Sequence, residues 1–176
     1  SLLSVIAAFL LVVIVYVLYV FGTYHRIKDK QPIEINSLNA TEGSKVKTGV
    51  EYTAGTYNVG FGAYTPDYSF FMDGGKYSRC FSKQSGIDAI NGAADYAKSE
   101  NPDFMIFEEV DRDSTRSYHV NQENLINKKF QGYFQNFAVN YDSAYLFYPF
   151  NEPIGKSYSG ISVYSKKKLS YFHIIF

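Results

Sequence analysis

The chain has 176 residues and a formal net charge of zero, with 17 basic against 17 acidic side chains. That length predicts one domain with an appendage, and the balanced charge argues against a strongly electrostatic nucleic-acid binder, a local basic patch aside. The single cysteine, Cys80, excludes an internal disulfide framework and a cysteine-based zinc cluster.

The run from Leu2 to Gly22 carries no charge, and about 20 apolar residues suffice for a helix to cross a bilayer. It is too long and uniform for a signal-peptide core, and no small-x-small site follows, so residues 1–23 are expected to form a single-pass membrane anchor. Tyr16, Tyr19 and Tyr24 lie toward one end, as interfacial aromatics do. Arg26, Lys28 and Lys30 come next; alone they would put the following residues in the cytoplasm, but the positive-inside rule weighs two flanks. The globular part is expected to lie outside the cytoplasm. Residues 24–49 are polar and turn-rich, a juxtamembrane linker with one short strand.

From residue 50 to 176 the pattern is globular. "VEYTAGTYNVGFG" reads as a strand running into a loop, and "MDGG", Met72 to Gly75, as a tight turn near its end. In "SKQSGIDAINGAADYAKSE", Ile87, Ile90, Ala94 and Ala97 have helical spacing, with Ser82 or Ser85 as cap. Asn101-Pro102-Asp103 stops that helix. "FMIFEEV" predicts a short buried strand, "NQENLINKKFQGYF" a helix, and "QNFAVNYD" and "SAYLFYPF" strands. "SGISVYSKKKL" predicts a strand running into a basic turn. Alternating strands and helices followed by strand after strand point to an α/β fold with a partly antiparallel sheet. The chain begins without Met and stops inside the apolar run "LSYFHIIF", which reads as a further strand, so the domain is expected to be a truncated one.

The stretch "PDFMIFEEVD" holds the main candidate. On a regular strand Phe104, Ile106 and Glu108 share one face, and Met105, Phe107 and Glu109 the other. Both faces are apolar until the end, so the strand is expected to be buried on both sides, with the two acids facing opposite ways. A carboxylate at the carboxyl end of such a strand sits at the rim where α/β proteins place ligands. Asn58, in "TYNVG", ends another strand. An Asn beside a Glu gives two hard oxygen donors, suited to Mg²⁺, Mn²⁺ or Ca²⁺ rather than zinc.

Three segments in order, "TYNVGFG", "NPDFMIFEEVD" and "SYSGISVYSKKKL", resemble the first half of the endonuclease/exonuclease/phosphatase superfamily, the deoxyribonuclease I-like fold, in a membrane-anchored bacterial form. The likeness covers residues 53 to 168. Asn58 matches the family's strand-ending Asn, Glu109 its metal-binding Glu, and Gly160 to Lys166 its glycine-led strand; Glu108 stands where the family usually has Gln. The resemblance implies an α+β four-layer sandwich, two mixed sheets packed face to face with outer helices. It implies metal-dependent hydrolysis of a phosphoester, the substrate being DNA, RNA, a phospholipid headgroup or an inositol phosphate. Glu109 would hold the metal and Asn58 orient the site.

Next to these, Arg116 is a candidate phosphate clamp, Tyr118 a substrate contact, His119 a catalytic group and Asp73 a second metal ligand. Lys166, Lys167 and Lys168 could meet nucleic acid or anionic lipid. Tyr64, Tyr68, Phe70 and Phe71 are candidates for touching lipid. The family's later Asp-x-Asn and Ser-Asp-His motifs do not occur in these residues, so the chain as given is expected to be inactive and its intact parent an enzyme. The rival expectation is a non-catalytic, membrane-anchored binding module on the same fold. No protein partner is predicted.

Overall fold

The computed structural model describes residues 1–24, 26–27, 30, 32–41 and 44–169. His25, Lys28 and the terminal apolar run with His173 lie outside the described residues. Helix α1, Leu2–Thr23, has no buried residue. It has the length and composition of a membrane span or a signal sequence.

The remaining elements are strands β1 (Ile35–Leu38), β2 (Ala54–Asn58), β3 (Phe104–Asp111), β4 (Tyr133–Asp142) and β5 (Tyr158–Ser165), with helices α2 (Lys83–Ser99) and α3 (Gln122–Lys129). The strands form one mixed sheet in the order β1-β4-β5-β3-β2. Only β2 and β3 are parallel; the other pairings are antiparallel. A parallel pair needs a long crossover, and α2 supplies it. Its start is fixed by a capping box: Ser82 accepts from the Ser85 N–H, and Ser85 accepts from the Ser82 N–H. Both candidate caps are used, reciprocally. The helix stops at the Asn-Pro-Asp turn, where Asn101 takes φ +49°.

Helices α2 and α3 cover one face of the sheet. Ile90, Ala94, Ala97 and Ile126 pack with Met105, Phe107, Val110, Tyr133, Phe137 and Tyr164 in one core. Phe107, Phe130 and Tyr164 meet there ring to ring, with centroids 4.7 to 5.7 Å apart, a geometry that adds to plain burial. Gly160 is required beneath this layer, because a Cβ there would lie 2.2 Å from the Ala138 carbonyl oxygen.

Two expectations for β3 need correction. The strand is not buried on both sides: Met105 and Phe107 are, but Ile106 on the other face is 38 % exposed. Nor does it keep strand alternation to its end. Its pairing with β5 slips between Phe107 and Val110, and Glu109 sits in the left-handed region at φ +56°, as in a β-bulge that re-aims a side chain. The segment "SAYLFYPF" forms no strand either. It makes a single bridge, Leu146 to Gly155, and Pro149 has no N–H to give a ladder. The short strand expected within 31–49 is β1, which pairs with β4 at the sheet edge.

Candidate metal-binding rim

Because β2 and β3 run parallel and in register from Ala54↔Phe104 to Asn58↔Glu108, their carboxyl ends reach the same rim. Residues about fifty positions apart in the chain become neighbours there. The Asn58 amide nitrogen donates to Glu109 Oε1 at 2.9 Å. The Asn58 amide oxygen accepts from the Gly60 N–H at 2.9 Å. A backbone N–H can only donate, so this second bond fixes which way the amide faces and aims its NH₂ group at the carboxylate. Gly60 itself is at φ +49°, and a Cβ there would strike the Tyr64 ring at 2.3 Å; glycine is what lets the chain turn back after Asn58.

Glu108 is held separately, accepting from Thr56 Oγ1 at 2.7 Å. Thr56 and Asn58 share one face of β2, so the two carboxylates are met from the same side. The expectation that they face opposite ways fails at the bulge, since alternation holds only for regular extended backbone. They still differ: Glu108 is bonded to a hydroxyl within the sheet, whereas Glu109 is at the rim, bonded through one oxygen to an exposed Asn58.

Arg116 lies behind this pair, not in front of it. It is 7 % exposed and grips Asp111 with both arms of its fork, at 2.9 and 3.2 Å. Ser117 donates to the same carboxylate at 2.7 Å, and the guanidinium lies 4.1 Å over the Phe61 ring. Burial works against its charge, but Asp111 beside it, with Glu109 and Tyr141 further off, raises its pKa above the ordinary guanidinium value. The bidentate geometry expected for a phosphate is thus made to a carboxylate of the protein. Tyr118 packs against the cluster of Phe61, Ala63, Tyr68 and Cys80. His119 is exposed, its Nδ1 bonded to Asp113 Oδ1 at 2.5 Å. Lys166 Nζ donates to the Asn101 carbonyl oxygen at 2.5 Å, and Lys167 reaches Ser44 at 3.4 Å.

The aromatic group divides. Tyr68 is in the second core, whereas Tyr64 is 53 % exposed, so Tyr68 is not available to lipid as its sequence context suggests. The Tyr64 hydroxyl has its pKa raised, first by partial burial and then by the charges of Asp73 and Glu109. This places Tyr64 and Asp73 in the electrostatic neighbourhood of the Asn58–Glu109 pair. Asp73 itself ends a single turn, Phe71–Asp73, closed by Gly74 at φ +82°. One positioning residue carries no sequence signal of its own. Buried Gln122 donates to the Phe61 carbonyl at 2.6 Å and accepts from the Asp111 N–H at 3.0 Å. It thereby ties the loop after Asn58 to the end of β3.

Among the described residues no group of three His, Cys, Asp or Glu side chains is placed to hold a metal ion. The rim fits a cation of the Mg²⁺ kind in a narrower sense. Glu109 has one oxygen without a protein hydrogen bond among those described, and Mg²⁺ is commonly held by one or two carboxylates with waters completing its shell. Asn58 donates to the other oxygen and holds that carboxylate in place. Three hollows lie elsewhere, two along α1 and one beside β2, and none of them is lined by Asn58 or Glu109. No protein-family model matches the chain, and no curated protein or solved structure matches it.

Proposed function

We propose that this chain is the membrane-anchored, metal-holding part of a divalent-metal-dependent phosphoesterase, cleaving a phosphodiester of nucleic acid, phospholipid or inositol phosphate. The observation that carries this reading is the meeting of Asn58 and Glu109 at 2.9 Å on the ends of adjacent parallel strands. Those are the two positions that the resemblance to the endonuclease/exonuclease/phosphatase superfamily marks as the start of a metal site. A bound Mg²⁺, or Mn²⁺ or Ca²⁺ in its place, would neutralise charge developing on phosphoryl oxygens. Glu109 would hold it, and Asn58 would keep that carboxylate turned outward. Arg116 would act from behind as fixed positive charge, leaving direct phosphate contact to other groups. Tyr118 and His119 are candidates only at the edge of the site.

The finer architecture belongs to the same reading. The sheet face that carries Thr56, Ile106 and Glu108 is partly open, as suits a face on which a second sheet packs to complete a four-layer sandwich. Helix α1 would be the single-pass anchor, with the globular part outside the cytoplasm. Turnover is expected only where the Asp-x-Asn and Ser-Asp-His motifs complete the site. The lack of a three-ligand group among the described residues favours one second reading, a non-catalytic anchored module on the same fold.

The test is a Mn²⁺ titration of the full chain, read by electron paramagnetic resonance. Binding should be lost in Glu109→Gln and kept in Glu108→Gln. A chain that binds no Mn²⁺, or two variants that behave alike, would remove the metal-site reading and leave the module.

A further inference from the structure

A cluster of exposed aromatics lies away from the rim, in the segment that failed to form a strand. From Ser143 to Asn151 the chain has no charged residue. Phe147, Tyr148 and Phe150 stand 49, 61 and 85 % exposed, and Met72, next in sequence to the Phe71 that meets Tyr148, 72 %. Exposed apolar clusters of this kind mark interaction surfaces.

What covers this patch is indicated by its attachment to α1. The Phe147 N–H donates to the Tyr16 hydroxyl at 3.3 Å, and the Tyr145 N–H to the Tyr19 hydroxyl at 3.4 Å. The Tyr16 and Phe147 rings meet edge-on at 5.4 Å. Tyr16 lies seven residues before Thr23, the end of α1, which is about 10 Å of helix rise. The loop therefore runs alongside the last turns of α1, at the depth where a spanning helix passes from headgroups into acyl chains. Irregular backbone survives there only if its polar groups are satisfied. Along the stretch beside α1 several are: the Tyr145 and Phe147 N–H groups are taken by α1, and Leu146 exchanges both its bonds with Gly155. Tyr is also a side chain favoured at that level of a bilayer.

We propose that the loop 143–151, with Met72, is a second membrane contact that seats in the headgroup region of the bilayer. This rests on α1 spanning the membrane. The contact has a consequence for the rim. Tyr148 meets Phe71 at 5.6 Å, Phe71 meets Phe70 at 4.9 Å, and Phe70 meets Tyr64 at 6.1 Å. An aromatic strip thus runs from the anchor to the ring whose hydroxyl feels the charge of Glu109. A domain held at α1 and along this strip cannot tumble freely on its tether, and the Asn58–Glu109 rim keeps a fixed attitude to the lipid surface.

The experiment uses the full chain in phosphatidylcholine vesicles, with a polarity-sensitive fluorophore on one introduced cysteine. Cys80 is buried, and the parent chain reports any label it takes. Phe150→Cys probes the loop, Leu10→Cys probes α1, and Asp88→Cys on exposed α2 is the aqueous reference. Brominated acyl chains should quench the Phe150 and Leu10 probes, with a blue shift for both, and leave the Asp88 probe unchanged. Quenching at Leu10 with none at Phe150 overturns the docking surface and leaves the anchor standing. Quenching at Phe150 with none at Leu10 removes the anchor reading and, with it, the proposal that the loop is a second contact beside a spanning α1. A blue shift at Phe150 without quenching means that protein, not lipid, covers the patch, and overturns the proposal.

Discussion

Two carboxylates two positions apart in the sequence end up in opposite situations. Asp111 and Glu109 both belong to the end of β3, and each has one polar side chain as its main partner. Asp111 is fully buried and receives three side-chain hydrogen bonds, two from Arg116 and one from Ser117. Glu109 is half-exposed, receives one from Asn58, and sits on strained backbone at φ +56°. The first arrangement is closed: nothing from solvent can reach a charge already paired and bonded, and its role is to hold the loop behind the rim in place. The second is unfinished. A side chain held in a sparsely populated conformation with acceptor capacity to spare is the kind of strained residue that clusters at ligand sites, which is why the proposed function is placed there. Charged side chains near a strand end are thus poor evidence until their partners are known.

The largest effect expected is on the closed pair. Arg116→Ala leaves the Asp111 carboxylate buried without its counter-charge, a loss of about 3–5 kcal/mol. It also empties the space over the Phe61 ring. Thermal unfolding of the detergent-solubilised chain should show a large drop in Tm. A small change would mean that Arg116 is not the structural residue its contacts describe, and would restore it as a candidate for phosphate binding.

On the open pair the order reverses, with function lost and stability kept. Asn58→Ala removes the donor that turns the Glu109 carboxylate outward, and Mn²⁺ affinity should fall by about 10–100-fold, as for other outer-shell partners of metal ligands. The unfolding midpoint should move little, because an exposed hydrogen bond is worth about 1 kcal/mol. If Asn58→Ala unfolds the protein and Arg116→Ala does not, the two pairs have been assigned the wrong way round.

How much of this was legible in the sequence depends on what each feature needed. Helix α2 was, cap included, because a capping box and a 3.6-residue period are local. So was the meeting of Asn58 with Glu109, because two strand-ending polar residues flanking one helix imply a parallel pair. The bulge at Glu109 was not. Nothing in "IFEEV" distinguishes a regular strand end from one that slips against β5, so strand alternation sent the two acids to opposite sides. Arg116 was misread for a related reason. Its suitability for a phosphate is the same as its suitability for Asp111, and only the fold says that Asp111 is nearer. The "SAYLFYPF" segment has strand composition throughout, yet its fate was set by Pro149 and by tyrosines on a distant helix.

A change of pH separates the clusters again. Behind the rim, burial and then the Asp111 charge push the Cys80 thiol up from 9.0 to about 12. Burial likewise raises the Tyr68 hydroxyl above its ordinary 10.0. Each group is therefore neutral in the folded chain at pH values where the unfolded chain has ionised it. A raised folded-state pKa gives stability that is whole below the unfolded value and is lost as pH climbs toward the folded one. Stability should hold up to about pH 9 and then decline toward pH 12, by at most about 1.4 kcal/mol per pH unit from the thiol alone. Denaturant titrations across that range would show it. A flat profile would mean that the cluster around Phe61 is open to water in the folded chain.

The smallest effect is the most discriminating. Glu109→Gly should relieve the left-handed backbone, worth about 1–2 kcal/mol for a residue with a Cβ. Against that stand the greater freedom of glycine in the unfolded chain, about 0.4–1 kcal/mol, and the lost bond from Asn58, about 0.5–1.5 kcal/mol. These nearly cancel, so the variant should unfold within about 1 kcal/mol of the parent while losing its Mn²⁺ site. Asp111→Gly offers no strain to release and should cost several times more. If Glu109→Gly proves as damaging as Asp111→Gly, then Glu109 is a structural carboxylate like its neighbour. The rim would then have no residue kept in an unfavourable conformation for the sake of a ligand.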